Sequence, residues 1–365
     1  MMDSDAVRTI EGYTHEVASH CETGSVRNLL RHAGVDVSEP MVFGVGSGPA
    51  FYYLFFVKGP SGMPLVALRN KPGHIFRQVG RLCGIDFFRR RLRTTREAMA
   101  RADALIDAGI PPAACVDMFR MKYLPPHLRV HAPMHFVALV GRDEHGYAVS
   151  DPYHPALARL GREDLEAAWA TGAPMAQDNL LVYVRRVPPR IDWPRAAARA
   201  MRRTSRAMLL PPVPSRIVWF AGIAGIRTYA RALRSWLSRY RGVPLREGML
   251  FNAVGFEDQG TGGGAFRLMY GAFLQEVAAQ RGSEELAALA RRMVEHGREW
   301  RRASRQLVVL ARAIPMVEDE YDDWLRESRQ PLEDGLAELS GRFMAFAEIE
   351  RALWRDLGAL AAKLG

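Results

Sequence analysis

The pattern of hydrophobic and polar positions divides the chain in two. Through the first half, helical and strand-like periods alternate. After Cys21, the apolar residues Val26, Leu29 and Leu30 recur at helical spacing, and Gly34 predicts the stop. A glycine-rich loop from Gly44 to Gly48 leads into the aromatic run 51–57, a buried strand, and 65–68 predicts a second short one. Residues 93–108 read as an amphipathic helix, closed by Gly109 and the Pro111–Pro112 pair. Three apolar runs with β character follow, at 134–140, 147–149 and 180–184. The polar stretch 141–146 joins the first two in the manner of a hairpin. This half predicts an α+β fold with helices in front and antiparallel strands behind.

Pro188, Pro189, Pro194, Pro211, Pro212 and Pro214 then punctuate a polar, basic segment. It reads as a connection containing a short helix. From about Ile217 onward the pattern is helical throughout. Leu332, Leu336, Leu339, Phe343, Phe346, Leu353, Leu357 and Leu360 mostly step by three or four residues, which lays one apolar stripe along a helix. The expected organisation is therefore an α+β domain over 1–187, a connection over 188–216 and an all-helical domain over 217–365. A chain of 365 residues exceeds the usual single core, which agrees with two domains.

Composition adds compartment and charge. No N-terminal stretch pairs a basic head with an apolar run, and the apolar segment 217–226 is far shorter than the roughly 20 residues that span a bilayer. The expectation is a cytoplasmic protein without membrane contact. Three cysteines, Cys21, Cys83 and Cys115, form no CxxC pair, which argues against a disulfide framework and a zinc ribbon. The net charge is +10, and 185–241 alone holds fourteen arginines against one acid, Asp192. A solvated helical face is the plain reading of such a surplus, and attraction of an acidic partner the functional one. Nucleic acid is the weaker reading, because the stretch lacks interleaved aromatics and any known DNA-binding spacing.

Three residues carry candidate chemistry. Cys21 opens a helix, where unpaired N–H groups and the dipole favour a thiolate. His135 starts an apolar strand, and Asp151 ends the next one. A hairpin would bring both to the same end of the ribbon, where a carboxylate can fix the imidazole's tautomer. A lone cysteine is more often a small buried hydrophobe than a nucleophile. On the residue pattern alone both readings stand.

The segments around these residues also resemble a known family. His20-Cys21-Glu-Thr-Gly-Ser-Val-Arg-Asn-Leu-Leu, Ser38-Glu39-Pro-Met-Val-Phe-Gly44-Val-Gly-Ser-Gly48, His135-Phe-Val and Asp151-Pro are similar to the butirosin-biosynthesis protein H N-terminal family, over roughly 14–186. Gly260-Thr-Gly-Gly-Gly-Ala-Phe-Arg267-Leu-Met-Tyr270-Gly-Ala-Phe-Leu274 is similar to a helical domain of unknown function that often follows it. The resemblance implies a papain-like fold related to bacteriocin-processing peptidases. It implies acyl transfer from an acyl-carrier-protein thioester to a small-molecule amine, in specialised-metabolite biosynthesis. Cys21 would be the acyl-accepting nucleophile, His135 the acid/base and Asp151 its orienter. No cofactor sits on the enzyme in this scheme, since phosphopantetheine belongs to the carrier. A peptidase or amidase with the same triad is the alternative.

Papain-like enzymes place a glutamine about six residues before the cysteine as an oxyanion donor. Here that position is His15, with His20 adjacent to the nucleophile, so these two are the candidate donors beside the Cys21 N–H. Glu39 and Ser47, in the segments that match the family, are candidates for substrate contact. For Glu39, capping of backbone groups is the plainer role. Gly260-Thr-Gly-Gly-Gly lacks the Lys-Ser/Thr ending of a P-loop and predicts a tight turn, with Arg267 a candidate phosphate ligand. Gly44-Val-Gly-Ser-Gly-Pro49 is no dinucleotide fingerprint, because Pro49 replaces the third glycine and a strand follows. His127, His131 and His135 step by four, but the surrounding prolines exclude the helix that would align them on a metal.

Overall fold

The computed structural model describes residues 7–173, 176–211 and 219–364, apart from the Glu318 side chain. Pro212, Pro214 and the expected boundary at 216/217 lie outside the described residues. The chain forms two compact units: Met1–Val42 with Lys71–Trp193, and Phe43–Asn70 with Pro194–Gly365.

The first unit contains α1 (Cys21–His32) and the start of α2 (Glu39–Val45), whose second half belongs to the other unit. The hairpin strands β1 (Pro49–Lys58) and β2 (Pro64–Arg69) fall in that other unit too. The first unit resumes with α3 (His74–Cys83), β3 (Asp86–Arg91), α4 (Thr95–Asp107) and β4 (Ala113–Val116). It continues through β5 (His135–Arg142), β6 (Gly146–Ser150), β7 (Ala158–Gly161), α5 (Arg162–Trp169) and β8 (Leu180–Arg186). Six of these strands form one antiparallel sheet in the order β3-β8-β4-β5-β6-β7. The fold is thus the expected α+β, although the segregation is incomplete: β3 precedes α4, and α5 falls between β7 and β8.

The predicted hairpin is present. β5 pairs with β6, with Ala138 opposite Ser150 and Leu139 opposite Val149. The core beneath the sheet gathers Val137, Leu139, Tyr147, Val149 and Leu181 with Ala98, Met99, Ala102 and Leu105 of α4. The alternating inward positions of the strands meet the apolar face of that helix. β3, β4 and β7 were not legible: β4 has four residues and β3 reads Asp-Phe-Phe-Arg-Arg-Arg. Short strands whose pairing comes from distant partners carry little periodic signal.

The second unit departs from the expected boundaries. Residues 43–70, read as part of the first domain, pack here because their aromatic rings are needed here. Phe51 is fully buried against Tyr229 and Trp300, with ring centroids 6.2 and 5.9 Å away, and Tyr53 meets Tyr229 at 5.6 Å. The helices are α6 (Trp193–Leu209), α7 (Gly222–Leu233), α8 (Trp236–Arg239), α9 (Gly242–Glu257), α10 (Arg267–Arg281), α11 (Glu284–Ala313) and α12 (Tyr321–Leu364). α6 is the short helix expected inside the connection. All eight residues of the apolar stripe on α12 are buried. Among the described residues no helix is long and apolar enough to cross a membrane.

Candidate active site

Cys21 is the first residue of α1, and the helix is fastened from several directions. Ser25 Oγ donates to the Phe136 carbonyl of β5 at 3.2 Å, next to His135. The Ala18 N–H donates to the Pro152 carbonyl at 2.9 Å, next to Asp151. Gly24 lets the helix lie against that same proline, since a Cβ there would stand 2.5 Å from Ala18 Cβ and 2.7 Å from Pro152 Cβ. Glu22, fully buried, accepts the Ile75 N–H at 2.9 Å at the start of α3. Together these contacts bring the first turn of α1 to the end of the β5–β6 ribbon.

At that end lie His135 and Asp151, exposed by 3% and 0%. His135 Nε2 and Asp151 Oδ2 are 2.9 Å apart, and the Cys21 thiol is hydrogen-bonded to the imidazole. With Nε2 given to the carboxylate, Nδ1 is left to meet the sulfur. Asp151 also accepts the Tyr153 N–H at Oδ1 (2.9 Å) and the Tyr123 hydroxyl at Oδ2 (2.8 Å). Burial by itself would push the His135 pKa down. The Asp151 charge and hydrogen bond, with those of Cys21, override it and lift the value to about 10. Burial would likewise raise the Asp151 carboxyl, but the charge and hydrogen bond of His135 hold it below the usual range. The arrangement is a buried imidazolium–carboxylate pair beside a thiol at a helix N-terminus. Both features favour the charged, nucleophilic sulfur.

The other two cysteines lie on α3 and β4 of the same unit. Burial pushes Cys83 up to about 12, and Cys115 lies in β4 opposite Phe136.

Of the remaining sequence candidates, some take structural roles. His15, expected as an oxyanion donor, lies with Nδ1 2.8 Å from Ser150 Oγ and Nε2 2.9 Å from the His154 carbonyl. Only an N–H can satisfy that carbonyl, so the ring's proton is committed there and not to an oxyanion. His20 caps α1: its Nδ1 accepts the Thr23 N–H at 3.4 Å, which places its proton on Nε2. Glu39 caps the backbone before the nucleophile, accepting the His20 N–H at 2.8 Å, the Ser19 N–H at 3.0 Å and the Thr23 hydroxyl at 2.8 Å. This is the plainer of its two expected roles.

Ser47 belongs to the second unit, so the unit holding Cys21, His135 and Asp151 does not contain it. It is buried, its backbone is left-handed (φ 51°), and its carbonyl accepts Asn70 Nδ2 at 3.2 Å. Arg267 is no phosphate ligand. It is 1% exposed, forks onto Glu350 with two bonds of 2.9 Å, and gives Nη1 to the Ala265 carbonyl at 2.6 Å. The preceding glycine turn is equally committed: the Gly263 N–H goes to Thr261 Oγ1 and the Gly264 N–H to Glu257 Oε1, each at 3.0 Å. His131 turns to Asp117 at 2.8 Å, and among the described residues no group of three or more His, Cys, Asp or Glu could hold a metal.

Sequence reasoning missed Tyr123, Glu22 and Ser25. An acidic residue directly after the candidate nucleophile, Glu22 after Cys21, is a signal that could have been weighed. Tyr123 carries none, because only the fold brings it to Asp151.

Comparison with known proteins places two family models on the chain. Residues 20–152 match "Butirosin biosynthesis protein H, N-terminal", a span that starts one residue before Cys21 and ends one after Asp151. Residues 163–318 match "Domain of unknown function (DUF4872)", which takes in α5 and β8 of the first unit as well as helices of the second. No curated protein matches the chain. A crystal structure described as that of a C39-like peptidase from Bacillus anthracis aligns at 15% identity with a TM-score of 0.35, over 50% of this chain and 100% of that one.

Proposed function

Because the chain carries the butirosin biosynthesis protein H N-terminal domain followed by DUF4872, we propose that it is a cysteine-dependent acyltransferase. It takes an acyl group from an acyl-carrier-protein thioester onto Cys21 and passes it to a small-molecule amine. The observation that carries this reading is the thiol at the N-terminus of α1, hydrogen-bonded to an imidazole that a buried carboxylate holds at 2.9 Å.

The chemistry follows from those three groups. The Cys21 sulfur attacks the thioester carbonyl, and the carrier's sulfur leaves, taking a proton from the His135 imidazolium. The neutral imidazole then accepts a proton from the amine as its nitrogen attacks the acyl-enzyme. Cys21 leaves as thiolate beside the regenerated imidazolium, and the products are an amide and the carrier thiol. Thioester exchange is nearly balanced, whereas amide formation runs downhill. The Cys21 N–H at the start of α1 donates to the developing oxyanion in this scheme. With the His15 proton committed elsewhere, His20 Nε2–H is the second donor in this scheme.

An acidic carrier has a docking face in α6. Arg195, Arg199, Arg202, Arg203 and Arg206 are exposed along a 17-residue helix that contains no acid. Charge reversal at Arg195, Arg199, Arg202 and Arg203 is expected to weaken carrier binding at low salt. Unchanged affinity removes the docking face without touching the chemistry.

Incubation with acyl-carrier thioesters, read by intact mass, tests the reaction. The expected result is an acyl adduct on the enzyme that is lost in Cys21→Ala and chased to amide by amines. No adduct together with cleavage of peptides supports the hydrolase reading, in which water replaces the amine.

A further inference from the structure

Asp151 Oδ2 accepts two hydrogen bonds at once, from His135 Nε2 at 2.9 Å and from the Tyr123 hydroxyl at 2.8 Å. Tyr123 lies between two short 3-10 turns, Met118–Arg120 and Pro126–Leu128. Its neighbours Met121 and Leu124 are buried in the core and fix the backbone on either side. The ring meets His154 edge-on at 5.5 Å. Burial pushes the phenol well above its ordinary value, with the Asp151 charge acting the same way, so the group stays protonated. Towards a carboxylate it can only donate.

From this the geometry points to Tyr123 as a positioning residue: its O–H draws charge from Asp151 Oδ2 and so limits how tightly the carboxylate holds the proton of His135. The inference rests on the reading of His135 as the acid/base of Cys21. In that chemistry the imidazole must release its proton to the departing carrier sulfur and take one from the amine. A carboxylate that holds this proton more tightly makes the imidazolium a poorer acid towards the departing sulfur. The groups facing His135 are Asp151, the Cys21 thiol and the Tyr153 ring, centred 5.0 Å away. Those facing Asp151 are His135, Tyr123 and the Tyr153 N–H. Tyr123 is therefore the only hydroxyl bonded to Asp151 among the described residues.

The test is the titration of His135 followed by NMR in a Cys21→Ala background, which removes coupling to the thiol and needs no turnover. Tyr123→Phe removes a donor to the charged carboxylate, so the His135 titration is expected to rise by about one pH unit. Replacing Tyr123 with 3-fluorotyrosine, nearly the same shape with a more acidic hydroxyl, is expected to lower it. Opposite signs from these two changes cannot come from packing alone. An unmoved titration, or two shifts of the same sign, overturns the inference. Should Tyr123→Phe fail to fold, the fluorotyrosine protein decides alone. In an Asp151→Asn background the Tyr and Phe forms are expected to titrate alike, and a difference there also counts against the proposal. Because acyl transfer is not read in this experiment, failure of the transferase reading and failure of this one are separate results.

Discussion

Glu350→Gln is expected to be the most destabilising conservative change in the second unit. Glu350 is fully buried, and its carboxylate receives Arg267 Nε and Nη2 at 2.9 Å and the indole N–H groups of Trp300 and Trp354 at 3.0 Å. His296 Nε2 lies 3.1 Å away. Arg267 in turn stacks over Trp300, 4.5 Å from the ring centroid. Glutamine keeps the volume but loses the charge, and its NH2 group faces donors. The Arg267 cation is left buried without its counter-ion, a situation that costs about 3–5 kcal/mol. For a unit of roughly 200 residues, each kcal/mol shifts Tm by about 2–4 °C, so the transition should fall by roughly 6–20 °C in calorimetry of the full chain. The double variant Arg267→Met/Glu350→Leu removes both charges and is expected to lose less than Glu350→Gln alone. A single-variant shift under about 2 °C, or a double variant losing more than the single, would refute the reasoning. The same network has a pH signature. Burial alone would raise the Glu350 carboxyl, but Arg267 and His296 hold it well below the usual carboxylate range. Its stabilisation is therefore full above the unfolded value of about 4.3 and drains away as pH falls below it.

Two further changes probe how the nucleophile is held. Glu39→Ala leaves the Ser19 and His20 N–H groups and the Thr23 hydroxyl without their acceptor; it should cost about 1–3 kcal/mol and slow alkylation of Cys21 by iodoacetamide, and an unchanged rate would separate the cap from the thiol. Gly24→Ala places a methyl 2.5–2.7 Å from Ala18 and Pro152; it should cost about 1–3 kcal/mol in a denaturant melt and loosen the seat of Cys21 against His135, whereas a neutral effect would mean α1 can shift freely.

What the sequence determined by itself was whatever local pattern encodes. The α1 helix behind Cys21, the β5–β6 ribbon, and the apolar stripe of α12 all follow from periodicity and turn residues, because side chains of period two or 3.6 must share a buried face. The ribbon's ends in turn set His135 beside Asp151. Tertiary structure decided the rest. The aromatic strand β1 reads alike in either unit, and only the rings of Tyr229 and Trp300 assign it to the second. Arg267 after a glycine-rich turn has the outward marks of an anion site, yet Glu350, 83 residues further along, neutralises it. His15 stands six residues before the nucleophile, but Ser150 and His154 claim its ring. Tyr123 reaches Asp151 across 28 residues with no pattern to announce it. In each case the deciding partner is distant in the chain, and a residue's chemistry depends on what is buried beside it, which local periodicity does not carry.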